Sequence, residues 1–149
     1  MSDDKYTARE KAFVTYLKAR DTGNAHEITR RISEANAVTG RTKTILIKFD
    51  RIEPAGQMNN NDQAGYDHRF ILICVATASD SDTMDTQRNE MLEFVDESIR
   101  ATTAYTVFNS VNDGHPLGWR IVSTRKGVNR DDQLVVEIEV SVMFMEDEI

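Results

Sequence analysis

The clearest pattern in the sequence is the alternation of apolar and polar residues near its end. Within residues 134–145, Glu137, Glu139 and Ser141 share one face, and the other face is wholly apolar: Leu134, Val136, Ile138, Val140, Val142 and Phe144. Successive side chains of a strand point to opposite faces of a sheet. The alternation therefore predicts a strand with one face on the core and the other towards water or a partner.

A second apolar stretch, residues 68–78, has no polar face. Its two alternating sets are Phe70, Leu72, Cys74 and Ala76, and Ile71, Ile73 and Val75. A strand that is apolar on both sides is typical of the middle of a sheet whose two faces are covered. Further strands are predicted at 42–49, before Pro54, and at 119–124.

Helical spacing appears in three segments. The strongest is residues 82–100, with a stripe formed by Met84, Arg88, Met91, Leu92, Val95 and Ile99. Residues 6–20 form another. Asn24 stands three residues before Glu27, as in a capping box, and this spacing predicts a further helix over 24–40.

The order of these elements predicts an α+β fold. We expect a mixed, largely antiparallel sheet of about four strands with helices packed on it, two of them N-terminal and one between strands. The whole chain, 1–149, is expected to be one domain, with a helical part at 1–40 and a sheet-and-helix core at 41–149. The expected core residues are Leu72, Val75, Leu92, Val95, Ile138 and Val140.

An acidic cluster, Asp80, Asp82 and Asp85, lies between the apolar stretch and the strongest helix. A phosphatase-type aspartate motif needs a threonine where this chain has Met84. A calcium loop fails at its fifth, sixth and twelfth positions. Magnesium would need only one or two carboxylates, but no glycine-rich phosphate loop accompanies them. We expect Asp82 to cap the helix and Asp85 to complement its first turn.

No other residue pattern indicates catalysis. Cys74 lies in an apolar run and is expected to be a buried, unreactive thiol. The histidines, His26, His68 and His115, have no partner at metal-ligand spacing. We therefore predict a protein that is not an enzyme and has no catalytic residue, no cofactor and no metal. The alternative hypothesis is a small α+β enzyme that brings Asp80, Asp82 and His115 together.

The charge and hydropathy of the chain limit the classes of partner that it is expected to bind. The formal net charge of −7 disfavours tight external wrapping of nucleic acid. It is compatible with a wall past which DNA moves without sticking. No apolar run reaches the roughly 20 residues of a membrane helix. The start of the chain is acidic and polar, unlike a secretory signal, so a cytosolic compartment is expected.

A polar segment follows Pro54. Residues 55–65 read AGQMNNNDQAG and predict a long surface loop. A loop of this length in a compact domain is more often functional than idle. Its donors and acceptors, Asn59, Asn60, Asn61 and Asp62, suit contact with another protein.

The chain from about residue 66 has an order of segments that resembles a known family. The segments are HRFILICVATAS, the helix TMDTQRNEMLEFVDESIR, HPLGWRIVSTRKG and the acid-capped strand QLVVEIEVSVMFMED. This arrangement resembles the tail terminator, or tail-completion, proteins of long-tailed bacteriophages.

The resemblance implies a structural virion protein that forms a six-fold ring. Such a ring sits on the tail tube protein, stops tube polymerisation and joins the tail to the head–tail connector, while DNA passes through its lumen without specific binding. It implies assembly in the host cytoplasm, a place in the virion tail or neck, and no membrane. Glu137 and Glu139 would then contact a neighbouring subunit or partner. Another neck or head-completion protein, and an interaction module of a cell, remain alternatives.

Overall fold

The computed structural model describes residues 4–30, 43–54, 63–78, 80–108, 115–129 and 132–147. Three helices occur in these residues: α1 (Lys5–Arg20), α2 (Ser81–Ala101) and α3 (Ala104–Phe108). The strands are β1 (Glu27–Thr29), β2 (Lys43–Pro54), β3 (Gln63–Ala76), β4 (His115–Val128) and β5 (Leu134–Asp147).

The strands form one mixed sheet in the order β1-β2-β3-β5-β4. Only the short β1 runs parallel to its neighbour, and the other pairings are antiparallel. The predicted α+β class is confirmed, with one strand more than expected. The prediction that residues 68–78 lie in the middle of a sheet is also confirmed, because β3 is the third of five strands.

The hydrophobic core lies between the three helices and one face of the sheet, which we call the inner face. The register places Leu72 between Ile47 of β2 and Ile138 of β5 on this face. The rings of Phe13 in α1 and Phe108 in α3 pack edge to face against each other on this side of the sheet. The strand residues of the core cluster all belong to the inner face: Ile28, Ile45, Ile47, Phe70, Leu72, Cys74, Ala76, Val136, Ile138, Val140, Val142 and Phe144.

The core prediction is confirmed for four residues and corrected for two. Leu72, Val95, Ile138 and Val140 are fully buried; Leu92 is only partly buried, against the edge of the cluster. The prediction for Val75 is wrong, because its side chain points to the opposite face of β3. Its neighbours in the sequence, Cys74 and Ala76, occupy the inner face instead.

The helix predicted over 24–40 does not begin where the sequence indicated. Asn24 has a φ of 51°, the left-handed region, whereas a helix N-cap is extended. The Asp21 carboxylate accepts hydrogen bonds from the amides of Ala25 and His26 and holds a turn there. Glu27–Thr29 then forms a strand beside β2. The remainder of the predicted helix, 31–40, lies outside the described residues.

Candidate assembly surface

The acidic cluster begins helix α2, as expected, but the capping residue is Asp80 rather than Asp82. Asp80 accepts hydrogen bonds from the Thr83 amide at 2.8 Å and the Thr83 hydroxyl at 2.7 Å. These bonds hold the pKa of Asp80 below its ordinary value. Asp82 lies in the first turn, and Asp85 pairs with Arg88 at 2.8 Å. Both oxygens of Asp80 therefore serve the helix start.

The sequence-predicted histidines are dispersed. The His26 ring lies 3.1 Å from an Asp21 oxygen, and the His68 ring is buried at 3.3 Å from an Arg9 guanidinium nitrogen. The side chain of His115 lies outside the described residues. Across the part of the chain that the structure describes, no three His, Cys, Asp or Glu side chains cluster as metal ligands would.

Cys74 is fully buried on the inner face, which confirms the expectation from its apolar surroundings. Burial raises the pKa of its thiol to about 12. Because the thiolate is the reactive form, this cysteine is a packing residue in the folded chain.

The second face of the sheet, which we call the outer face, differs from the inner face in its covering. Its central residues, Ile71, Ile73 and Val75 of β3, are only half-buried. None of them belongs to the cluster that joins the helices to the sheet. Leu46 lies opposite Ile73 and is buried, and Val135 lies opposite Val75. Apolar residues thus form the centre of a sheet face on which no described helix packs.

Charged residues border this apolar centre. Arg69 of β3 lies 3.0 Å from Glu139, 3.3 Å from Glu53 and 3.5 Å from Asp67. Arg51 of β2 lies 3.0 Å from Glu139 and 2.7 Å from Glu53.

Arg51 also pairs with Asp50, so four carboxylates share two guanidinium groups. The hydrogen bond from Arg51 lowers the pKa of Glu53, and its carboxylate partners raise the pKa of Arg51. The outer face therefore carries a connected ion-pair network rather than separate solvated charges. Glu139 is central to it, because it pairs with both Arg51 and Arg69.

The two glutamates predicted as contact residues are both on the outer face, but they differ in exposure and in their partners. Glu137 is exposed, and the Cα register sets it opposite Arg125 of β4. Glu139 has a side chain only 17% exposed and binds Arg51 and Arg69 of its own chain. Asn59, Asn60, Asn61 and Asp62 lie outside the described residues.

Sequence reasoning missed a groove at the β4 end of the outer face. It has a volume of about 310 Å³, and its lining includes Leu117, Gly118, Arg120, Met143 and Asp67. Leu117 is 52% exposed. Leu117 lies at a bulge between Pro116 and Gly118, and the alternation of the sequence gives no signal for a bulge.

Comparison with known proteins gives a likeness of fold alone. No family model matches the chain, and no curated protein matches it. Among solved structures, the chain is similar to one described as "Virion of native gene transfer agent (GTA) particle". The TM-score is 0.52 and the sequence identity 13%, over 87% of this chain and 84% of that chain. No helix within the described residues is long and apolar enough to cross a membrane.

Proposed function

We propose that this protein is a structural component of a phage-like virion, and that it acts as a tail terminator. In this role it forms a six-fold ring on the tail tube, stops tube polymerisation and joins the tail to the head connector. The observation that carries the proposal is the apolar centre of the outer face. The fold likeness to a chain from a virion particle supports the same class of protein.

The outer face argues for assembly because it departs from the usual one-sided sheet. An antiparallel sheet with one face in water normally carries polar residues there. Here Ile71, Ile73 and Val75 lie half-buried on the face away from the described helices. Contiguous apolar surface with a polar rim marks a site of protein association. The ion-pair network of Arg51, Arg69 and Glu139 supplies such a rim.

Two of the contact residues proposed from the sequence, Glu137 and Glu139, belong to this surface. Glu137 is exposed beside the apolar centre and is free to meet a neighbouring subunit or partner. Glu139 orders the rim from within the chain. For Asn59, Asn60, Asn61 and Asp62 we propose contact with a subunit, the tube or the connector, on the basis of their amide and carboxylate groups.

The net charge supports the proposed route for DNA. With a formal charge of −7, a ring of these subunits repels the phosphate backbone. DNA then passes the lumen without specific binding. The enzyme hypothesis has no comparable support, because Asp80, its first candidate acid, has both oxygens committed to Thr83.

Sedimentation velocity and negative-stain microscopy test the ring. We expect the purified chain to form six-fold rings as its concentration rises, and the rings to bind the ends of tail tubes. Ile73→Lys puts a charge into the apolar centre. We expect this variant to lose ring formation, or the binding of its rings to the ends of tail tubes. Thr86→Lys adds the same charge at an exposed position of α2 and serves as the control. Equal assembly of both variants would remove the outer face from the proposal.

A second test concerns the polar segment between Pro54 and Gln63. Replacing residues 55–62 by a tight glycine-containing turn should leave the melting temperature nearly unchanged, because that segment has little apolar content to bury. The joining of tails to heads, counted as infectious particles, should fall. A variant that completes particles at the normal rate would show that Asn59 to Asp62 are not the contact.

A further inference from the structure

The directions of the described strands require two crossover connections. β1 and β2 are parallel neighbours, and residues 30–42 join them. β3 and β4 both run antiparallel to β5, so they are parallel to each other, and the connection between them carries α2 and α3. Each connection runs from the carboxyl end of one strand to the amino end of a parallel strand. It therefore has to cross one face of the sheet.

The handedness of these connections relates the two faces. Crossovers between parallel strands of one sheet are right-handed in about 98% of cases. Both connections advance in the same direction along the strand order β1-β2-β3-β5-β4. Their strands run in opposite directions, because β2 is antiparallel to β3. Both connections can therefore be right-handed only if they cross opposite faces. Since α2 and α3 pack on the inner face, residues 30–42 belong on the outer face.

The burial of the outer face at β1 and β2 agrees with this assignment. Thr29 of β1 and Leu46 of β2 are partners in the register and point away from the inner face. Thr29 is 3% exposed and Leu46 is 8% exposed. Leu46 is nevertheless outside the hydrophobic cluster that the helices cover. Thr44, on the same face of β2, is also 8% exposed. This part of the outer face is covered, although no described helix packs on it.

We propose that residues 31–42 of this chain pack on the outer face over β1 and β2, where they cover Thr29 and Leu46. The length of the segment suits this path. Thr29 pairs with Leu46, three residues after Lys43, so the connection returns by roughly 10 Å along the strands. A helix of about seven residues spans that distance and leaves residues for a turn at each end.

The sequence of the segment supplies an apolar side for this contact. Ile32, Ala35 and Val38 follow one another at intervals of three residues, and residues three apart lie on the same side of a helix. Ser33 falls on the opposite side. The segment can therefore bury Ile32 and Val38 against the sheet and leave Ser33 in solvent.

The width of a helix explains why β3 is only half-buried on this face. A helix with its side chains is about 10–12 Å across, and neighbouring strands lie about 4.8 Å apart. A helix over β1 and β2 thus covers two strands and borders the third. Ile73 and Val75 of β3, opposite Leu46 and Thr44, are half-buried. The apolar centre stays open towards β5, and in the proposed ring residues 31–42 border the surface left for a partner.

Paramagnetic NMR on the dilute, unassembled chain tests the position of the segment. A nitroxide is attached to a Ser33→Cys variant, in which Cys74 is buried and does not take the label. The relaxation enhancement falls steeply with distance. We therefore expect a several-fold larger effect on the methyl groups of Leu46 and Ile73, on the outer face, than on those of Ile47 and Leu72, on the inner face.

A second label provides the control for this measurement. A nitroxide at Thr86→Cys, an exposed position of α2, should affect the inner-face methyl groups more than the outer-face ones. If the Ser33→Cys label also affects the inner face more, the segment crosses the inner face and the proposal is wrong. Weak effects on both faces would show that the segment does not pack on the sheet, which also overturns it.

Thiol protection tests whether the segment is what covers Leu46. In the dilute chain, a Leu46→Cys thiol should react with a maleimide several-fold more slowly than an Ile73→Cys thiol. Adding Ile32→Asp and Val38→Asp places charges on the apolar side of the segment. The Leu46→Cys thiol should then react as fast as the Ile73→Cys thiol. An unchanged slow reaction would mean that the cover comes from elsewhere.

A matched variant separates the loss of the contact from the added charge. Ser33→Asp with Ala37→Asp adds the same charge on the opposite side of the segment and should leave the Leu46→Cys thiol protected. Circular dichroism reports folding, and Val38→Ala, with a smaller acceleration expected, replaces the charged variant if that variant does not fold. Every measurement is made below the assembly concentration, so its outcome is independent of the proposed ring.

Discussion

The two faces of strand β3 are built from similar residues but have different surroundings. Leu72 is fully buried beneath the helices, whereas the next residue, Ile73, is half-buried on the outer face. The helices provide one hydrophobic layer, and that layer is sufficient for a core of this size. The apolar residues of the outer face are not fully buried by the isolated chain. The comparison separates residues that hold the fold from residues available for assembly.

The largest expected effect is on the inner face. Leu72→Ala should lower the free energy of unfolding by about 2–5 kcal/mol, because it leaves a cavity in the core. Ile73→Ala, one residue along, should cost about 1–2 kcal/mol in the monomer, since less apolar area is lost from burial. Urea unfolding at a concentration below assembly measures both. Equal losses would show that the outer face is as fully packed as the inner one.

Thiol labelling sharpens the comparison in the native state. Cys74 should not react with a maleimide at neutral pH, because its pKa is about 12 and its side chain is buried. In a Val75→Cys variant the new thiol lies on the outer face and should react in the dilute chain. Assembly should slow that reaction. Rapid native labelling of Cys74, or no protection of the new thiol in rings, would contradict the assignment of faces.

The smallest expected effect is at the start of α2, the helix that covers the inner face. Asp80→Ala removes the hydrogen bonds to Thr83 and should lower the melting temperature by a few degrees. Because the folded pKa of Asp80 lies below 3.8, this stabilisation is present above pH 3.8 and is lost as the pH falls through the folded pKa. Differential scanning calorimetry at pH 7 and pH 3 measures the difference.

Asp82→Ala provides the matched control for the cap. Asp82 lies in the first turn of α2 and interacts favourably with the helix dipole, but it does not cap the helix. Its replacement should shift the melting temperature less than Asp80→Ala does. The reverse order would restore Asp82 as the cap that the sequence indicated.

Local patterns predicted the elements whose signal extends over many residues. The stripe of α2 and the alternation of β5 each span more than ten residues, and both elements were found close to their predicted bounds. The four-residue pattern from Asn24 to Glu27 was misleading. A hydrogen-bonded turn at Asp21 and pairing of β1 with β2 outweighed it, and strand pairing with a distant segment is not visible in a local window.

The capping residue and the contact residues show the same limit at closer range. Asp80 and Asp82 have the same side chain, so the sequence does not distinguish them as caps. The structure does, because α2 begins at Ser81 and Asp80 directly precedes it. Glu139 looked like a solvent-facing contact residue because it alternates with apolar neighbours. The structure pairs it with Arg51 and Arg69, which lie 88 and 70 positions away in the chain.

By itself the sequence determined which residues alternate, because the geometry of a strand forces neighbours to opposite faces. It thereby determined a two-sided apolar β3 and a one-sided β5. Only the tertiary structure decided that the described helices all lie on one face, and that Glu139 of β5 pairs with Arg51 and Arg69 on the other. Both properties depend on strand order and register, which arise from pairing between segments far apart in the chain.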